Sequence, residues 1–85
     1  MTYDIDLTTS ARKDLLALGD DVYARVAAAI DGLEDNPRPH GARKLRGGEY
    51  AWRLRVGNYR VLYEVDDQTF AVTVYRVRHR RDVYR

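Results

Sequence analysis

Trp52-Arg53-Leu54-Arg55-Val56-Gly57-Asn58-Tyr59-Arg60-Val61-Leu62-Tyr63-Glu64-Val65 is the stretch that decides the fold. Two alternating segments flank Gly57-Asn58, a pair that suits a two-residue hairpin turn, with glycine where a type II′ turn needs a positive φ. Such a turn sets the cross-strand partners. Val56 faces Tyr59, Arg55 faces Arg60 and Leu54 faces Val61, so Arg53, Arg55 and Arg60 fall on one face of the sheet. A second hairpin, turning at Asp66-Asp67-Gln68-Thr69 with Val65 opposite Phe70, leads into a last strand from Phe70 to Val77 and sets Tyr75 beside Arg60. The other face then collects Trp52, Leu54, Val56, Tyr59, Val61, Tyr63, Val65, Phe70, Val72 and Val74, which is apolar enough to be a core. Three clustered arginines with one pair directly opposed are destabilising unless an anion compensates them.

Upstream, Tyr3, Ile5 and Leu7 alternate with Asp4, Asp6 and Thr8 as in a half-buried strand. Thr9 or Ser10 offers an N-cap to a short helix with Ala11, Leu15 and Leu18 on one face. Gly19 ends it, and Asp20 or Asp21 caps a second helix carrying Val22, Val26, Ala29, Ile30 and Leu33 at helical spacing up to Asn36-Pro37. From Asn36 to Gly48 the prolines and glycines read as loop. The expected architecture is a single α+β domain over residues 1–85, in the order β-α-α-β-β-β. Its N-terminal helical hairpin packs on one face of a small, mainly antiparallel sheet, and a basic tail, Arg78 to Arg85, follows.

Composition narrows the chemistry. The 85 residues carry a formal charge of only +2, but the signs are segregated. Residues 1–36 hold three basic against eight acidic side chains, and residues 37–85 twelve against five. Eleven of those twelve are arginines, whose planar fork matches phosphate in two hydrogen bonds. A polyanion or an acidic partner is therefore expected. Cysteine is absent, which excludes disulfides and thiolate chemistry, and Ser10 is the only serine, which argues against a Ser-His-Asp hydrolase. No metal-ligand spacing, glycine-rich phosphate loop, apolar span or leader pattern is present, so the expectation is a cytoplasmic protein with no metal, cofactor or membrane contact. Metal-free phosphodiester chemistry stays open, in which an RNA 2′-hydroxyl attacks its own phosphate while arginines stabilise charge and His79 or Tyr84 moves protons.

The hairpin stretch, the preceding Lys44-Leu45-Arg46-Gly47 and the ending Val77-Arg78-His79-Arg80-Arg81-Asp82-Val83-Tyr84-Arg85 resemble RelE-type toxins of the RelE/ParE superfamily, and the element order agrees. The resemblance implies a toxin of a type II toxin–antitoxin pair that cuts mRNA in the ribosomal A site by 2′-hydroxyl attack, leaving a 2′,3′-cyclic phosphate. It implies that Arg60 contacts the scissile phosphate, that Arg80 is a second catalytic arginine, and that Tyr84 orients or activates the nucleophile. Arg53 and Arg55 stand where the best-known RelE-type toxin has lysines. An arginine holds its proton too firmly to act as acid or base, so proton transfer passes to His79 or Tyr84. Lys44, Arg46, Arg53, Arg55, Arg78 and Arg81 are then RNA-binding residues. The implied partners are a RelB-type antitoxin, the 70S ribosome with its A-site mRNA, and operator DNA reached through the antitoxin. The alternative within the superfamily is a ParE-like toxin that inhibits DNA gyrase by binding, without nuclease activity.

Overall fold

The computed structural model describes residues 2–45 and 51–83. Strand β1 (Asp4–Leu7) leads into helix α1 (Thr9–Leu16) and helix α2 (Asp20–Gly32). Strands β2 (Ala42–Lys44), β3 (Ala51–Val56), β4 (Tyr59–Asp66) and β5 (Ala71–His79) follow, and β5 runs into a single turn of helix, α3 (Arg80–Val83). The five strands form one sheet in the order β1-β5-β4-β3-β2. Among the described strands only the β1–β5 pair is parallel; the two helices carry the chain from β1 to β2 at the other edge of the sheet, and the antiparallel run β2-β3-β4-β5 brings it back beside β1.

The inner face of the sheet and one stripe of each helix make the core. Val61, Tyr63, Val65, Val72, Val74 and Val77 meet Ala11, Leu15, Val26, Ile30 and Leu33, all at most 6% exposed. Tyr63 is fully buried because its hydroxyl donates to the Pro37 carbonyl at 2.7 Å, which satisfies the one polar atom its ring brings inside. Trp52 lies at the core margin, half-buried, with the Arg38 guanidinium 5.2 Å above its ring.

Several local expectations shift. The N-cap of α1 is Thr8, one residue before the expected position; its hydroxyl accepts from the Ala11 amide at 3.1 Å. Gly19 rather than an aspartate caps α2, leaving Asp20 and Asp21 in the first turn where the helix dipole favours them. The segment read as loop contains β2, which pairs antiparallel with β3. The second hairpin turns over Asp67–Phe70 rather than Asp66–Thr69, so Asp66 pairs with Ala71. Phe70 leaves the strand and takes a left-handed φ of 54°, its ring set edge-on to Tyr3 at 5.4 Å. The basic tail is ordered structure at its start, continuing β5 to His79 before α3 begins.

Candidate nucleic-acid interface

The first hairpin has the register expected of its two-residue turn. Gly57 has φ 58°, and Arg55 pairs with Arg60, Leu54 with Val61 and Arg53 with Leu62. Paired residues share a face, so Arg53, Arg55 and Arg60 lie together on the outer side of the sheet. The neighbour of Arg60 on β5 is Arg78, not Tyr75. Two things move the register: the later turn, and a bulge that leaves Tyr75 unpaired between Val74, opposite Tyr63, and Arg76, opposite Leu62. The outcome is a row of arginines across three strands, Arg55–Arg60–Arg78. Behind it runs a second row, Arg43–Arg53–Leu62–Arg76.

Arg60 is the unusual member. It is only 3% exposed, its Nη1 donates to the Tyr59 carbonyl at 3.3 Å, and its buried Nε–H has no partner among the described residues. A buried charge with an unmet donor loses several kcal/mol of hydration unless an anion supplies the missing bonds. Inside the described structure no anion does. Among the described residues Arg76 is the one outer-face arginine paired with a carboxylate, Asp14 at 2.8 Å. The other described ion pair, Arg38 with Asp67 at 2.7 Å, lies at the loop beside Trp52. Glu64 and Asp66 share the outer face, but four and six residues along β4, which puts Glu64 roughly 13 Å from Arg60. Neither forms an ion pair with an arginine among the described residues; Glu49 lies outside them.

The remaining candidates divide. Arg78 adjoins Arg60. Arg80 and Arg81 are exposed on α3, which is tied to the hairpin turn by the Arg80 amide donating to the Asn58 carbonyl at 2.7 Å. His79 pairs with Tyr59 and meets its ring edge-on at 5.1 Å, so it belongs to the inner-face side at the end of the sheet, across from the arginine row. Its Nδ1 accepts from the Arg81 amide at 3.3 Å, which caps α3 and assigns the neutral ring an Nε2–H. Asn58, His79, Arg80 and Arg81 line an open cleft of about 470 Å³. Lys44 pairs with Trp52 and so lies on that residue's side, away from both arginine rows. Arg46 and Tyr84 lie outside the described residues. Arg43 and Arg76 join the face without having been singled out: Arg43 was hidden in a segment read as loop, and the bulge reversed the side on which Arg76 emerges.

Comparisons with known proteins identify the family and the fold. The family model described as ParE toxin of type II toxin–antitoxin system, parDE, matches residues 5–84. The chain is 37% identical to Toxin RelG of Mycobacterium tuberculosis over 86 residues, covering 100% of this chain and 99% of that one. It is 34% identical to the mRNA interferase toxin RelE of Escherichia coli over 88 residues, covering 99% and 92%. Among solved structures, the toxin–antitoxin complex RelBE2 from M. tuberculosis contains a chain that superposes with a TM-score of 0.80 at 33% identity, covering 93% of this chain and 99% of that one.

Proposed function

The chain belongs to the ParE toxin family of type II toxin–antitoxin systems, and from that premise we propose that it is a ribosome-dependent mRNA endoribonuclease. The observation that carries the reading is Arg60, a buried guanidinium with an unmet Nε–H at the centre of the Arg55–Arg60–Arg78 row. A scissile phosphate docked there would meet three guanidinium groups at the point where negative charge grows. In the proposed reaction the 2′-hydroxyl oxygen attacks the adjacent phosphorus and its proton passes to a base. The P–O5′ bond breaks, the leaving O5′ takes a proton from a general acid or from water, and the products are a 2′,3′-cyclic phosphate and a 5′-hydroxyl. The arginines stabilise the dianionic intermediate, and Arg53 and Arg43 hold the flanking backbone.

Proton transfer is assigned to Tyr84 on the resemblance of the C-terminal segment. For His79 we propose a supporting part. A ring whose Nδ1 already caps α3 cannot take a proton there without releasing the Arg81 amide, and an Nε2–H donates rather than accepts. His79 would hold α3, and with it Arg80, over the end of the hairpin. The E. coli relative, an mRNA interferase toxin, supports the nuclease reading, and the RelBE2 complex supports a RelB-type antitoxin as partner. An acidic antitoxin segment would answer the same unmet charge when RNA is absent. Operator DNA bound through the antitoxin and a cytoplasmic location complete the proposal.

The test is purified chain added to ribosomes paused on a defined mRNA. Cleavage within the A-site codon, with a 2′,3′-cyclic phosphate end and no cutting of ribosome-free mRNA, is expected; intact A-site mRNA would overturn the reading. A second reading, gyrase inhibition by binding, is favoured by the ParE description of the matching family model. It predicts intact mRNA together with loss of DNA supercoiling by purified gyrase.

A further inference from the structure

The arginine row depends on an irregularity in β5. Val72 and Val74 point into the core, and so does Val77, three residues further on. A regular strand would send Val74 and Val77 to opposite faces. The extra residue at Tyr75 reverses the alternation. Without it Arg76 and Arg78 would follow Val74 into the core face, and Arg60 would lose its β5 neighbour.

Beyond the end of β1 this part of β5 has no described strand on its β1 side, though β4 continues along the other, and residues 8–14 take up the open edge instead. The Thr8 amide donates to the Val74 carbonyl at 2.9 Å. The Thr8 hydroxyl donates to the Tyr75 carbonyl at 3.0 Å while accepting from Ala11. Asp14 Oδ2 accepts from the Val77 amide at 2.9 Å and from Arg76 Nε at 2.8 Å, and its Oδ1 accepts from Arg76 Nη2 at 3.2 Å. One carboxylate thus closes an open backbone edge and neutralises the only outer-face arginine that has a described ion pair.

We infer that Asp14 is a positioning residue of the arginine site: with Thr8 it holds the Tyr75 bulge, and the bulge sets Arg78 beside Arg60. The consequence for cleavage rests on the nuclease reading above; the structural consequence does not.

Both are measured on the full chain. By NMR, the cross-strand nuclear Overhauser effects between Arg60 and Arg78 should vanish in Asp14→Ala. Its Val77 amide should exchange at least tenfold faster, while the amides of Val65 and Val72 keep their protection and so report an intact fold. Asp14→Asn keeps an acceptor for Val77 but not the charge pair, and should restore the Arg60–Arg78 effects. On programmed ribosomes the turnover of Asp14→Ala should fall at least tenfold, with Asp14→Asn between it and the wild type. Should Asp14→Ala fail to fold, Asp14→Asn decides by itself: Val77 exchange faster than wild type by two- to fivefold supports the inference, and unchanged exchange overturns it. Wild-type Arg60–Arg78 effects and slow Val77 exchange in Asp14→Ala also overturn it, whatever the activity. If the wild type does not cut mRNA but Asp14→Ala still separates Arg60 from Arg78, the nuclease reading falls and the positioning role stands.

Discussion

The two faces of this sheet have been completed in opposite ways. On the inner face every large group is answered from within the chain: the valines by the helices, and the Tyr63 hydroxyl by the Pro37 carbonyl. On the outer face a run of guanidinium groups lies together, one of them buried with an unmet donor. Packing explains the first arrangement and gives no reason for the second. A small domain has a thin stability margin, so a face that adds charge without partners points to something outside the chain.

The contrast can be broken from either side. If it holds, Arg60→Met should lose about 10²–10³-fold in A-site cleavage, as expected for removing a donor to developing charge. Its melting temperature should stay the same or rise, because an apolar side chain of similar length replaces an unpaired buried charge. A marked fall in melting temperature would make Arg60 a structural residue. On the inner face Leu33→Ala, at a site with no exposure, should destabilise by about 2–5 kcal/mol in urea unfolding; a variant as stable as wild type would place Leu33 outside the core.

Tyr63→Phe should remove about 1–3 kcal/mol by leaving the Pro37 carbonyl unpaired. The same residue sets an alkaline limit. Burial pushes its phenol up to about 12, against a weaker pull from Arg38, so the unfolded chain ionises first. The associated stability is whole below about pH 10 and lost as pH rises toward 12. A melting temperature flat from pH 10 to 12 would contradict the buried phenol.

The smallest expected effect lies at the acid end. Partial burial raises the Asp14 carboxyl, but the Arg76 guanidinium and the Val77 amide outweigh it and hold the group below its usual range. Asp67 is held low chiefly by its hydrogen bond from Arg38. A depressed carboxylate contributes stability above its unfolded pKa, near ~3.9, that disappears as pH falls through the folded value. Stability should therefore decline below about pH 4, and Asp14→Asn should flatten part of that decline; an unchanged slope would show that the clasp carries no charge-dependent stability.

Legibility in the sequence followed the turns. A two-residue turn leaves no freedom of register, so β3 and β4 and the shared face of Arg53, Arg55 and Arg60 could be read from Gly57-Asn58. The four-residue turn before β5 and the Tyr75 bulge carry no such mark in the sequence, so alternation alone sets Tyr75 beside Arg60 where the structure has Arg78. Strand β2 escaped because Ala42-Arg43-Lys44 has no apolar alternation and sits among prolines and glycines; its pairing with β3 is a tertiary effect. Thr8 was passed over because Thr9 and Ser10 are equally good caps by type. Alternation placed Arg60 on the outer face, but burial there depends on what covers the face, which periodicity does not report.

The most direct test of the central claim observes the unmet donor itself. The arginine Nε–H signals of the isotope-labelled chain would be followed while a short 2′-O-methylated RNA, which cannot be cut, is added. The Arg60 Nε–H should shift strongly as the RNA saturates, reporting a new bond to phosphate. Saturating RNA that shifts the signals of Arg53 and Arg55 but leaves Arg60 unchanged, or no binding at all, would contradict an RNA phosphate as the partner of the buried guanidinium.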